Sequence, residues 1–123
     1  MTSHYLIIDD DLTFCQILER ALQRRKLSVT TALDPDAALT AASNHPPSHV
    51  ILDLKLGQSS GLDLIEPLLR INPGSRILLL TGYASIPTAV EAIRRGAMNY
   101  LPKPADADRI LAAFNPEDRK SVV

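Results

Sequence analysis

Short apolar runs alternate five times with longer segments in which apolar residues recur every three to four positions. The runs occupy residues 5–8, 28–32, 49–52, 76–80 and 99–101. Three of these runs contain consecutive rather than alternating apolar residues. Such runs predict strands that are covered on both faces, as in a parallel sheet between two layers of helices. The segments between them have the spacing of amphipathic helices.

The predicted helices carry start and stop signals. Asp34 and Pro35 supply a cap and a first-turn proline to the second helix, whereas Ser85 begins the fourth helix and Gly96 ends it. Two apolar stripes indicate the faces expected to pack on the sheet. In the first helix the stripe contains Phe14, Ile17, Leu18, Ala21 and Leu22, and in the fourth it contains Ala89, Val90 and Ile93.

The alternation predicts a single α/β domain. Its expected architecture is a flavodoxin-like (βα)5 three-layer sandwich with five parallel strands in the order 2-1-3-4-5. We assign residues 1–114 to this domain and residues 115–123 to a C-terminal tail or the start of a linker. Because strands one and three are neighbours in this order, the residues that follow them are expected to meet in one crevice.

Composition excludes several classes of protein. The chain has 123 residues, 13 basic and 14 acidic side chains, and a formal net charge of −1. A domain whose main function is to bind nucleic acid usually has more basic than acidic residues, which this chain does not. No apolar run approaches the ~20 residues of a membrane span, and the first residues lack the pattern of a signal peptide. We therefore expect a cytoplasmic protein with no membrane partner.

Cysteine and histidine offer little chemistry. The single cysteine, Cys15, excludes an internal disulfide, and we expect it to be a packed hydrophobe rather than a redox sensor. His4, His45 and His49 lack the spacing of metal ligands, and we expect them at surfaces or strand edges.

Polar residues follow four of the predicted strands. In chain order they are Asp9, Asp10 and Asp11, then Asp53, then Thr81, then Lys103. Carboxylates that converge in one crevice repel each other and favour a hard cation with oxygen ligands, and Mg²⁺ suits a small number of carboxylates. The lysine and the hydroxyl beside them provide the cationic and donor groups that a transferred phosphoryl group needs.

Each of these residues also has a purely structural interpretation. An acidic triplet after a strand is often a turn with a helix cap, a threonine there is often a turn residue, and a lysine is often a solvated surface group. Asp53 fits such an interpretation least, because it ends an apolar strand where an unpaired charge is costly. The agreement of four separate strand ends favours a functional site.

Four segments together resemble the receiver domain of two-component response regulators. They are residues 6–11, 50–53, 80–82 and 100–104, and the resemblance extends over about residues 5–114. It implies that Asp53 accepts a phosphoryl group from a sensor histidine kinase. It also implies that Mg²⁺ is held by Asp10, Asp53 and the backbone carbonyl of Lys55, with Asp9 acting through water.

The same resemblance implies a switch. Thr81 would donate its hydroxyl to the phosphoryl group, Lys103 would pair with it, and Tyr100 would reorient on activation. Lys103 and Pro104 would be joined by a cis peptide bond. Phosphorylation would then alter the face formed by the fourth helix, fifth strand and fifth helix, through which a homodimer could form.

Three positions set this chain apart within the family. Gly57 stands where receivers commonly have proline, so we expect a looser loop after Asp53. Lys55 and Tyr83 occupy the two positions that tune the lifetime of the phosphate, where they would shield it from water.

Residues 80–90 and 103–108 are similar to the redox-responsive regulators of proteobacteria called RegA, PrrA, ActR or RoxR. Those regulators carry a Fis-type helix-turn-helix behind the receiver. Only nine residues follow Phe114 in this sequence, so contact with DNA would require an output domain that is missing here.

Two other functions stay open. An aspartyl-nucleophile phosphatase has a second aspartate two residues after the nucleophile, where this chain has Lys55. A degenerate receiver would bind partners without phosphorylation, which the presence of Asp10, Asp53, Thr81 and Lys103 argues against. We accordingly expect a phosphoacceptor rather than an enzyme, limited to self-phosphorylation from small donors and slow loss of the phosphate.

Overall fold

Strands and helices alternate along the part of the chain that the computed structural model describes, residues 3–82 and 85–115. The strands of the main sheet are β1 (His4–Ile8), β2 (Ser28–Ala32), β3 (His49–Leu52), β4 (Arg76–Thr81) and β5 (Asn99–Pro102). The helices are α1 (Leu12–Arg24), α2 (Pro35–Asn44), α3 (Leu62–Ile71), α4 (Ile86–Arg95) and α5 (Ala107–Phe114). No helix within these residues is long and apolar enough to cross a membrane.

The sheet is parallel throughout and has the order β2-β1-β3-β4-β5. This order confirms the predicted 2-1-3-4-5 arrangement, with β1 and β3 as neighbours. Each pair of strands that are consecutive in the chain is joined by a crossover through a helix, because parallel strands cannot be connected by a tight turn.

Two apolar clusters cover the two faces of the sheet. On one face, alternate residues of β1, β3 and β4 pack against α2, α3 and α4, with Ile65 and Leu68 fully buried. On the other face, the intervening residues pack against α1 and α5, with Leu22 and Phe114 fully buried. Burial on both faces explains why these strands are continuously apolar.

Side chains cap the helices as predicted. Asp34 accepts a hydrogen bond from the Ala37 amide, and Ser85 accepts one from the Thr88 amide. Gly96 ends α4 in the left-handed region, with φ +120°, where a glycine has no steric penalty.

Both predicted stripes are partly wrong about burial. Ile17 on α1 is 64% exposed, and Val90 and Ile93 on α4 are exposed as well. In α4, Ala92 is the residue that packs into the core. The part of each of these two helices that packs on the sheet is therefore narrower than its apolar stripe.

The segment after Asp53 forms a short antiparallel hairpin, not the loose loop that Gly57 predicted. Lys55–Leu56 pairs with Ser59–Ser60, and the Leu56 side chain is buried in the core. Gly57 stands in the connecting turn with φ +60°, a conformation that glycine adopts without strain. The glycine therefore permits a tight turn instead of loosening the segment.

Candidate functional site

The predicted residues lie together at the carboxyl edge of the sheet because backbone hydrogen bonds extend the strands past their last paired residues. The Asp9 amide donates to Ala32, 3.1 Å, and the Asp53 amide donates to the Ile8 carbonyl, 2.9 Å. The Lys103 amide donates to the Thr81 carbonyl, 2.9 Å. These bonds place the functional side chains directly above the buried sheet.

Three carboxylates form the centre of the site. Asp9, Asp10 and Asp53 each bring an oxygen within 4.8 Å of the others. Asp9 is 2% exposed and Asp53 is 7% exposed, whereas Asp10 lies at the surface. Asp11, the fourth acid that the sequence analysis considered, instead caps α1 by accepting a hydrogen bond from the Phe14 amide, 3.1 Å.

Lys103 supplies a positive charge to this cluster. Its Nζ donates to Asp9 Oδ2 at 2.7 Å and lies 3.7 Å from Asp53 Oδ2. Burial works against the ammonium, but the hydrogen bond that it donates to Asp9 and the surrounding carboxylates outweigh this effect and raise the pKa of Lys103. The nitrogen also lies 4.5 Å from the centre of the Phe14 ring. The Lys103–Pro104 peptide bond is cis.

Asp53 is buried beside charged side chains. Burial is the main cause that raises the pKa of Asp53, and the negative charge of Asp9 raises it further, while Lys103 and Thr81 lower it. Its Oδ1 atom is buried and has no hydrogen-bond partner among the described residues. A buried carboxylate oxygen without a partner is costly unless a cation or another electrophile engages it. The oxygen donors of the three acids therefore suit a hard divalent cation such as Mg²⁺.

The remaining predicted residues lie around this centre and differ in how far each is exposed to solvent. Thr81 is fully buried at the end of β4, and Lys55 is exposed at the start of the hairpin. Tyr100 is half-buried on β5, and its hydroxyl is buried without a partner among the described residues. Its ring lines an open cavity of about 270 Å³ together with Ser85 and α4 residues. Tyr83 lies outside the described residues.

One contact and one exposed surface at this edge could not be predicted from the sequence. The Gly57 amide donates to Asp10 Oδ2 at 2.8 Å, which joins the hairpin to the acidic cluster. On α4, Ile86, Val90 and Ile93 form an exposed apolar stripe beside the Tyr100 cavity. The spacing of the stripe is visible in the sequence, but whether it is covered is not.

At the opposite edge of the sheet, the prediction for His4 is wrong. Its side chain is buried and stacks on the His45 ring with 3.7 Å between the centroids. Its ring nitrogens are 2.7 Å from Ser28 Oγ and 3.0 Å from Thr30 Oγ1. Hydroxyl partners for both nitrogens make burial of the imidazole tolerable. Cys15 is buried as predicted.

The fold and this set of strand-end residues define a receiver domain. The model of the family described as the response regulator receiver domain matches residues 5–115, so the chain belongs to that family. This confirms the family that the sequence motifs indicated.

The chain is similar to several named regulators. It is 46% identical to the acid tolerance regulatory protein ActR of Sinorhizobium medicae over 109 residues, which are 89% of this chain and 56% of ActR. It is 43% identical to the photosynthetic apparatus regulatory protein RegA of Rhodovulum sulfidophilum, covering 89% of this chain and 60% of RegA. The chain thus spans little more than half the length of these relatives.

A solved structure is also closely similar. It is a response regulator from Burkholderia pseudomallei, crystallised with a phosphorylated aspartic acid, a calcium ion and citrate. The two share 45% identity with a TM-score of 0.92, and the match covers 97% of this chain and 70% of the other.

Proposed function

We propose that this chain is a phosphoacceptor module that receives a phosphoryl group from a sensor histidine kinase on Asp53. The observation that carries the proposal is the buried Oδ1 of Asp53, which has no hydrogen-bond partner within residues 3–82 and 85–115 and lies beside a lysine and two further acids. The relative from Burkholderia pseudomallei, with its phosphorylated aspartic acid, supports the assignment. We assign the module to residues 1–114, followed by a tail or linker at residues 115–123, and we expect it to act in the cytoplasm.

Phosphoryl transfer would use Asp53 as the nucleophile. A carboxylate oxygen of Asp53 forms a bond to phosphorus while the bond from phosphorus to the kinase imidazole nitrogen breaks, and the imidazole keeps the electron pair. Lys103, already 3.7 Å from Asp53, would neutralise charge on the transferred group. Thr81, whose hydrogen bond favours the charged form of Asp53, would donate its hydroxyl to a phosphoryl oxygen.

The acidic cluster would hold Mg²⁺ through Asp10, Asp53 and the Lys55 carbonyl, with Asp9 acting through water. When bound, the cation supplies charge neutralisation for the phosphoryl oxygens. Lys103 keeps Asp9 and Asp53 close together until then, because it contacts both.

The switch would run from Thr81 to Tyr100. The added phosphoryl charge would draw the Thr81 hydroxyl towards Asp53 and free space for the Tyr100 ring, whose hydroxyl has no hydrogen-bond partner in the described part of the chain. The α4–β5–α5 face would change with it and form a homodimer contact. Lys55 and Tyr83 would tune the lifetime of the phosphate.

An output domain outside this chain would convert the switch into transcription control. The names of the relatives ActR and RegA describe them as regulatory proteins, and ZraR of Escherichia coli, 33% identical over 109 residues, is a transcriptional regulatory protein. Any contact with DNA would belong to that domain.

The test is a phosphorylation assay with intact-mass measurement. The chain is incubated with acetyl phosphate, with and without Mg²⁺, alongside the Asp53→Asn variant, and amide shifts are followed with beryllofluoride. We expect one Mg²⁺-dependent phosphoryl adduct that Asp53→Asn abolishes, with amide shifts near Thr81 and Tyr100. Turnover of a generic phosphoester without an accumulating adduct would favour a phosphatase, and no response would favour a degenerate receiver.

A further inference from the structure

Asp10 is held by a hydrogen bond from the hairpin rather than by packing. It lies at the surface, where packing restricts its carboxylate less than it restricts those of the buried Asp9 and Asp53. The Gly57 amide, 47 residues further along the chain, donates to its Oδ2 at 2.8 Å. A surface carboxylate would otherwise sample several rotamers, because staggered wells are all accessible to an unpacked side chain.

The geometry of the hairpin makes the Gly57 amide available for this contact. Lys55 pairs with Ser60 and Leu56 pairs with Ser59, which leaves Gly57 and Gln58 as a two-residue turn outside the ladder. Gly57 has φ +60°, and glycine is favoured at the first position of hairpin turns that need a positive φ there. Its N–H can therefore point away from the hairpin.

The hairpin is also anchored at its base. The Leu56 side chain is buried in the core, and the Gly61 amide donates to the Leu54 carbonyl at 2.6 Å. A Cβ at Gly61 would overlap the carbonyl of Asp53, so the segment closes tightly on the residue it follows. The turn thus has a defined position relative to the acidic cluster.

We propose that the Gly57 N–H is a positioning group for the cation site, because it orients Asp10 towards Asp53 and couples the hairpin to cation binding. The bond occupies one lone pair of Oδ2 and leaves the other oxygen of Asp10 open to a cation. Groups that orient ligating carboxylates raise metal affinity. Proline, which receivers commonly have here, has no N–H to donate and cannot adopt φ +60°.

This inference rests on the proposed cation site, and its test measures binding and amide exchange instead of phosphorylation. Mg²⁺ affinity is measured by calorimetry for the wild type, Gly57→Pro and Gly57→Ala. We expect Gly57→Pro to bind about fivefold more weakly, the factor for one hydrogen bond. Gly57→Ala keeps the N–H, and its Cβ meets nothing within 4 Å, so it controls for the change in backbone preference and should lose less affinity.

Hydrogen exchange in the unaltered chain provides an independent readout. Because coupling is reciprocal, saturating Mg²⁺ should slow exchange of the Gly57 amide by about the same fivefold factor, and Asp53→Asn should remove this effect. Equal or tighter binding by folded Gly57→Pro, or Gly57 exchange unchanged by bound Mg²⁺, would overturn the proposal while leaving the cation site intact. Failure of the wild type to bind Mg²⁺ would overturn both.

Discussion

Replacing Lys103 with methionine isolates the charge that balances the acidic cluster. Methionine keeps most of the length and apolar volume of the lysine stem but removes the ammonium. The change removes the ammonium that lies 2.7 Å from Asp9, whose side chain is 3% exposed, and 3.7 Å from Asp53. Three carboxylates within 4.8 Å of one another then lack the Lys103 ammonium in the metal-free protein.

The size of the expected loss in free energy of unfolding follows from the burial of the ion pair. Removing one partner of a buried ion pair costs about 3–5 kcal/mol, because the other charge stays buried and unpaired. The Lys103 side chain is 24% exposed, so water reaches the site and lowers the cost. We therefore expect the free energy of unfolding to fall by about 2–3 kcal/mol at neutral pH.

Arg25→Met is the matched control. The Arg25–Asp108 pair is slightly shorter, 2.6 Å, but its side chains are 37% and 80% exposed. Exposed pairs contribute about 0–1 kcal/mol. If the distance between the charges determined their contribution, the two substitutions would lower the free energy of unfolding equally. If burial determines it, Lys103→Met lowers the free energy of unfolding clearly more than Arg25→Met.

The assay is urea unfolding followed by circular dichroism, with a chelator present. Asp9→Asn in the Lys103→Met background should recover at least half of the loss, because it removes the uncompensated buried charge. A loss below about 0.5 kcal/mol for Lys103→Met, or no recovery in the double variant, would refute the argument from a buried unpaired charge.

Three further predictions follow from other sites. Burial lowers the pKa of His4, so between that lowered pKa and about pH 6.5 the His4 side chain binds fewer protons in the folded than in the unfolded chain. Urea unfolding should therefore show stability falling from pH 7.5 to 5.5, less steeply in His4→Gln. A Cβ at Gly61 overlaps the Asp53 carbonyl, whereas one at Gly74 makes only an ordinary 3.5 Å contact, so in the same assay Gly61→Ala should cost at least about 2 kcal/mol more than Gly74→Ala. Burial raises the pKa of Cys15 to about 12, so iodoacetamide at pH 8 should label it, by mass spectrometry, only in denaturant.

The order of the strands and the place of the site were predictable because both follow from local pattern plus topology. Continuous apolar runs such as residues 50–52 indicate strands buried on both faces, and the parallel order then requires their carboxyl ends to meet. Asp53 was identifiable for the same reason, since it interrupts an apolar run at that end.

What escaped prediction depends on contacts between distant residues. In the sequence, Gly57 alone suggests a flexible loop. The strand pairing on either side of it and its hydrogen bond to the Asp10 carboxylate make this segment an ordered turn. His4 looks polar in sequence, yet the hydroxyls of Ser28 and Thr30 on β2 make its burial possible. Apolar spacing in α4 identifies a face of the helix, but the exposure of Val90 depends on how the helix sits on the sheet.

Placement at the strand ends lets the fold hold buried charge without disrupting its core. Asp9 and Asp53 each continue the hydrogen-bonding pattern of the sheet, while their side chains lie beyond the apolar clusters. One residue earlier, the same carboxylate would point into an apolar cluster, as Ile8 and Leu52 do, and would cost far more. Lys103 balances only part of the three charges, so repulsion persists in the metal-free state. A cation that binds here and not to the unfolded chain stabilises the fold by an amount that grows with its concentration relative to its Kd, and relief of the repulsion contributes to its affinity.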